Sequence, residues 1–286
     1  GPKIIDHIME QGLVREAAYA SLIDDDRALG HRLAGEFLEA RFLEAGAAPD
    51  VSALVAHFEH GDLPQRAAPW LARAAEEALE GDDLPRAISL TERGLAATTD
   101  PALRGTLLQV SAEAHRWQGD YASARALGEE AAALLRPGSA RWFAATGGAL
   151  VSCLQTSDHE SVERLAGEAS AATADDDARG AQLVCLSRAA LQFFGLRRLD
   201  VAAHLAARVD TLAAGATASE PRSRAFVALV HASRALFDGD PGAFLDQTER
   251  AIADFERAGD LRNVCNQRVR LAFNAAENGE PEAAEG

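Results

Sequence analysis

A turn signal that returns at nearly constant intervals constrains this chain more than any other feature. The turns begin at Asp82, Gly119, Ser157, Arg197, Gly239 and Gly279. Five positions after the first five of these stand Ala87, Ala124, Val162, Ala202 and Phe244; seven further on stand Gly94, Ala131, Ala169, Val209 and Ala251. Seven positions before the turns lie Ala75, Ala112, Leu150, Ala190, Ala232 and Ala272, at intervals of 37, 38, 40, 42 and 40 residues. An alanine-rich composition does not by itself move a turn and three flanking positions together. Leu150 and Phe244 are the bulky members, so the register is expected to be least regular around them.

Between the turns the apolar residues recur at helical spacing, as in the stretch from Pro101 to Gly119, and no alternating strand pattern occurs. Breakers fall at Asp100-Pro101, Pro137-Gly138, Glu220-Pro221 and Gly239-Asp240-Pro241, where a helix pair needs its ends. Each unit therefore reads as helix, tight turn, helix. Small side chains at the recurring positions let paired helices approach to the short end of the usual interaxial range, roughly 8 Å. One pair alone leaves an apolar face in water, and stacking buries it. The sequence restarts the pattern at Gly279. The apolar side of the helix over 260–278 is accordingly expected to be exposed, which makes a homodimer through this last repeat one expectation.

Composition narrows the function. A net charge of −16 and a pI near 4.9 repel phosphate backbones and anionic lipid, so neither nucleic acid nor membrane is an expected partner. The one lysine is Lys3, next to a Gly1-Pro2 that reads as the remnant of a cleaved tag. No P-loop, kinase-type or Schiff-base lysine is then available within the body of the chain. Cys153, Cys185 and Cys265 are widely spaced among apolar neighbours and read as reduced core thiols of a cytoplasmic protein. No apolar run reaches membrane-spanning length.

Candidate chemistry is sparse. His57 and His60 sit three apart beside Glu59 and Asp62, but no compact third ligand accompanies them. The acidic triplets at Asp24–Asp26 and Asp175–Asp177 lack the glycine and final glutamate of a calcium loop and read as helix starts. No nucleophile elbow, zinc-protease helix or glycine-rich phosphate loop occurs. The reading is of a non-enzyme with no catalytic residue, cofactor or metal.

These turns and small positions, with Tyr121 after Gly119-Asp120 and Pro137 closing the unit, resemble the tetratricopeptide repeat. The likeness is best over residues 102–137. Elsewhere Leu84, His159, Leu199 and Pro241 replace the family's aromatic, and the units exceed its usual length of about 34 residues. The N-terminal part, including Leu13, Arg15, Ala18, Tyr19, Leu22, His31, His57, Phe58 and Arg66, is similar to the segment that joins an AAA-like or STAND-type NTPase module to such repeats in bacterial regulators, among them multidomain serine/threonine kinases of myxobacterial type.

The resemblance implies an all-α chain: a helical linker subdomain at 3–60, then a right-handed α-solenoid of about five and a half helix pairs at 64–286. It implies a non-catalytic protein–protein interaction or regulatory module of a larger cytoplasmic signalling protein. A small-effector sensor relaying to an upstream NTPase or kinase, and a self-assembly element, are the alternatives. Carrying over the family's register places Gln109, Glu113, Arg116, Ser187, Leu191, Leu229, Ser233, Asn266, Val269 and Phe273 on a concave face. Arginine with amide side chains there would hold a carboxylate of a protein or peptide partner, and the apolar members would receive a helix or extended segment.

Overall fold

The computed structural model describes residues 19–45, 50–214 and 220–277. Lys3, Leu13, Arg15, Ala18 and the turn at Gly279 lie outside them. All regular elements among the described residues are helices, with no strand. In chain order the helices are α1 (Asp24–Ala45), α2 (Val51–His60), α3 (Pro64–Glu80), α4 (Leu84–Ala97), α5 (Pro101–Gln118), α6 (Tyr121–Leu134), α7 (Ala140–Gln155), α8 (His159–Ala171), α9 (Arg179–Gly195), α10 (Leu199–Ala213), α11 (Pro221–Asp238), α12 (Pro241–Arg257) and α13 (Leu261–Glu277), with a short 3₁₀ turn at Asp176–Ala178.

One device makes the tight turns. Asp82, Gly119, Ser157, Arg197 and Gly239 all adopt the left-handed conformation, with φ between 57° and 83°. The residue after each donates its backbone N–H to the carbonyl five positions before it: Asp83 to Ala78, Asp120 to His115, Asp158 to Cys153, Arg198 to Phe193 and Asp240 to Ala235, at 2.9–3.0 Å. This closes the first helix with a Schellman cap. The same residue then starts the next helix, since the carboxylates of Asp83, Asp120, Asp158 and Asp240 accept from the backbone N–H three residues on. Arg198 makes no such side-chain bond. Two further copies, at Asp62 and Gly259, join α2 to α3 and α12 to α13 by the same backbone bond, Leu63 to Phe58 and Asp260 to Phe255.

A side chain in this conformation is strained by roughly 1–2 kcal/mol, less the backbone entropy that glycine loses on folding, roughly 0.5–1 kcal/mol. Ser157→Gly is therefore expected to stabilise the chain by about 0.5–1 kcal/mol, read as a higher urea midpoint at unchanged slope.

The recurring small positions lie in the core. Ala75, Leu150, Ala190, Ala87, Val162, Ala202, Ala131, Ala169, Val209 and Ala251 are fully buried, and Ala112, Ala232, Ala124 and Phe244 nearly so. Ala272 is half-buried. Leu150 fits because the close approach moves one turn away, to Gly147. A Cβ placed on Gly147 would stand 3.3 Å from the Cα of Cys185 on α9.

The chain divides into two compact units, Gly1–Val110 and Ser111–Gly286. The sequence-based division near residues 60–64 falls in the turn between α2 and α3, inside the first. In that unit α1 packs on α2, α2 on α3 and α3 on α4. The fully buried Phe58 lies under the guanidinium of Arg66 at 4.7 Å, and Glu36 and Glu39 hold that guanidinium at 2.7 and 2.5 Å. In the second unit α7 packs on α6, α8 and α9; α9 packs on α8, α10 and α11; and α11 packs on α10 and α12. Alternate helices thus contact one another as well as their chain neighbours. No described helix is long and apolar enough to cross a membrane.

Cys153 and Cys185 are buried, and burial pushes both thiols up to about 12, with Glu129 adding to the effect at Cys153. Cys265 departs from the core expectation: it is exposed on α13, because the inward stripe of that helix runs through Asn263, Val264 and Gln267 instead. Leu261, Val269 and Phe273 of α13 are also exposed.

Candidate binding site

Helix α9 carries Arg188 in the run Cys185-Leu186-Ser187-Arg188-Ala189-Ala190, every member of which is buried. A guanidinium in such surroundings is costly unless an opposite charge and hydrogen bonds accompany it. Glu113 of α5 provides them. Its carboxylate accepts from Arg116 one turn later at 2.6 and 3.0 Å and from the Trp117 indole N–H at 3.0 Å, and it stands 3.6 Å from Arg188. The three charged side chains are 15%, 11% and 9% exposed. Burial opposes ionisation of Glu113, but Arg116, Arg188 and Arg222 outweigh it and hold the carboxyl well below the usual carboxylate range. Burial lowers Arg188 to about 10, with Glu113 opposing and Arg116 and Arg222 adding to the shift. All three groups are ionised at neutral pH, and the Arg188 guanidinium lies over the Phe226 ring at 5.4 Å.

This cluster borders a cavity of about 460 Å³ in the second unit. Five alternate helices line it: α5 through Arg116, α7 through Leu154 and Gln155, α9 through Arg188, Leu191 and Gln192, α11 through Phe226, Leu229 and Ser233, and α13 through Asn263, Gln267 and Arg270. Helical spacing accounts for each stripe. Arg188, Leu191, Gln192 and Gly195 follow i, i+3, i+4, i+7, and so do Asn263, Asn266, Gln267 and Arg270. The contribution of α13 is wholly polar, whereas α11 gives Phe226, Leu229, Leu236 and Phe237 with Ser233 alone as a hydroxyl. Phe194 stacks on Phe237 at 5.5 Å, and Arg197, the left-handed turn residue, lies over the same ring at 5.9 Å. Four arginines reach the lining and no carboxylate does.

Of the residues assigned to a concave face from the sequence, the lining brings together Arg116, Leu191, Leu229, Ser233 and Asn266. Glu113 stands behind Arg116 and Arg188 as their counter-ion. Ser187 is fully buried, its hydroxyl without a hydrogen-bond partner and outside the lining, because it precedes Arg188 by a single helical step of about 100°. Val269 and Phe273 are 67% and 66% exposed, away from the cavity. Gln109 is half-buried and belongs to the first compact unit. Arg188, Phe226, Gln267 and Arg270 were not singled out from the sequence. An arginine inside an otherwise apolar helix was the available signal for Arg188.

The other candidate residues have structural roles. His57 Nδ1 meets His31 Nδ1 at 2.9 Å, and His60 Nδ1 donates to the Ala56 carbonyl at 2.6 Å. Burial, then the neighbouring His60 and His57, lower the His31 pKa. Among the described residues no group of three or more histidines, cysteines or carboxylates is arranged to hold a metal ion. Asp24 pairs with Arg27 at the start of α1, and Asp175 binds Arg136 across two loops rather than capping a helix. Comparison with protein-family models, curated proteins and solved structures gives no match to this chain.

Proposed function

We propose that this chain is a non-catalytic binding and regulatory module, a right-handed solenoid of tetratricopeptide-like helix pairs from a larger bacterial signalling protein, and that its second unit receives a protein partner in the cavity of alternate helices. The reading is carried by one observation: four helices alternating along the chain, α7, α9, α11 and α13, turn one stripe each to the same cavity, and α5 adds Arg116. A repeat array builds such a surface because each layer repeats the placement of the one before it.

The test is capture of partners from the source cell by the whole chain and by Ser233→Trp, which fills the cavity from α11. Circular dichroism first establishes that the variant is folded. A specific protein retained by the parent chain and lost by the variant is the expected result. Equal retention by both would overturn the assignment of the cavity as the partner site.

A small-effector sensor is the second reading, and the volume favours it. About 460 Å³ falls within the range of roughly 300–1,000 Å³ typical of pockets that bury small molecules.

A further inference from the structure

We infer that the cavity of the second unit binds a small amphipathic organic anion, a carboxylate on an aromatic or branched apolar body. This rests on the sensor form of the proposed function and gives its effector a chemistry.

The charge balance is the first argument. The chain carries sixteen net negative charges, yet Arg116, Arg188, Arg197 and Arg270 reach this lining and no carboxylate does. Glu113, behind the lining, is shared by Arg116 and Arg188, and that leaves three positive charges in excess at the wall. Such an excess in an acidic protein attracts anions to one place and holds them by charge-assisted hydrogen bonds.

The division of the lining is the second argument. α13 presents Asn263, Asn266, Gln267 and Arg270, all of them hydrogen-bonding groups, while α11 presents two phenylalanines and two leucines. An inorganic anion would leave the apolar side unfilled, and a hydrocarbon would leave the arginines unmatched. A ligand with a charged head and an apolar body satisfies both. Preorganisation is the third. Glu113 fixes Arg116 through two hydrogen bonds, so its guanidinium is already oriented before a ligand arrives.

Isothermal titration of the whole chain with phenylbutyrate, phenylbutanol and phenylbutylamine, three probes sharing one apolar body, tests the inference. Phenylbutyrate is expected to bind at least about tenfold more tightly than either other probe. Its affinity should fall about five- to tenfold in Arg270→Gln, a change at an exposed side chain, and fall further as salt rises. Ser233→Trp should abolish binding.

Equal binding of the acid and the alcohol would overturn the anionic specificity and leave a binding cavity. Binding of an acidic peptide, but of none of the three probes, would overturn the small-molecule assignment and favour a protein partner. Failure of every probe, with partner capture unchanged in Ser233→Trp, would remove both the inference and the functional reading beneath it.

Discussion

Replacing Glu113 with alanine is expected to cost about 3–5 kcal/mol of stability, because it leaves Arg116 and Arg188 buried without their shared counter-ion. The three charges form a unit, so single and combined changes should not add. Exchanging Glu113, Arg116 and Arg188 together for leucine and methionine should recover most of the loss, because desolvating the ions offsets much of their mutual attraction. Denaturant unfolding of the parent, single and triple variants checks this.

The pH dependence has a definite sign. The folded chain holds the Glu113 carboxyl below its ordinary value, so its contribution is complete above the unfolded carboxylate pKa, about 4.3. It disappears as the pH falls through that value toward the lower folded one. The parent should therefore lose stability more steeply than Glu113→Ala below about pH 4.

Gly138→Ala is expected to be almost as damaging, for reasons of backbone geometry. Gly138 has φ of 87°, and a Cβ there would stand 2.3 Å from the carbonyl oxygen of Thr173. That neighbour is main chain, pinned where Asp175 donates its N–H to the Gly138 carbonyl at 3.1 Å and its carboxylate binds Arg136. The side chain cannot be accommodated by a rotamer change. Gly119 is the control: its φ is 83° and nothing lies within 4 Å of its Cβ position. Gly119→Ala should cost about 1–2 kcal/mol, the strain of the left-handed conformation alone, and Gly138→Ala about 3 kcal/mol or more. In melting temperature that is roughly 2–8 °C against 6–12 °C. Equal effects would show that the loop contact is not fixed.

Much of the helical architecture was legible because the repeating turn needs unusual residues. A left-handed cap favours Gly or Asp, and the following N-cap favours Asp, so Gly119-Asp120, Gly239-Asp240 and Asp82-Asp83 announce themselves. Arg197-Arg198 carries the same geometry with neither signal and was placed by spacing alone. The turns at Asp62 and Gly259 pose the opposite case. They have the residues but stand about half a repeat from their neighbours, at a distance the 37–42 residue interval excludes.

The site was legible only in part. Arg116, Leu191, Leu229, Ser233 and Asn266 lie on their stripes, but one helical residue is a rotation of about 100°. That step separates buried Ser187 from Arg188 at the cavity. The pairing of Glu113 with Arg188 across 75 residues has no local signature at all.

The proposed stacking of helix pairs requires the second unit to open from its least supported end, since its helices contact those one or two places away in the chain. Native-state hydrogen exchange measures this directly, residue by residue. The slowest amides are expected in α9, which packs on α7, α8, α10 and α11, with protection declining toward α13 over a span of several kcal/mol. A single uniform opening energy from α7 to α13, or protection in α13 equal to that in α9, would contradict the stacked-layer account.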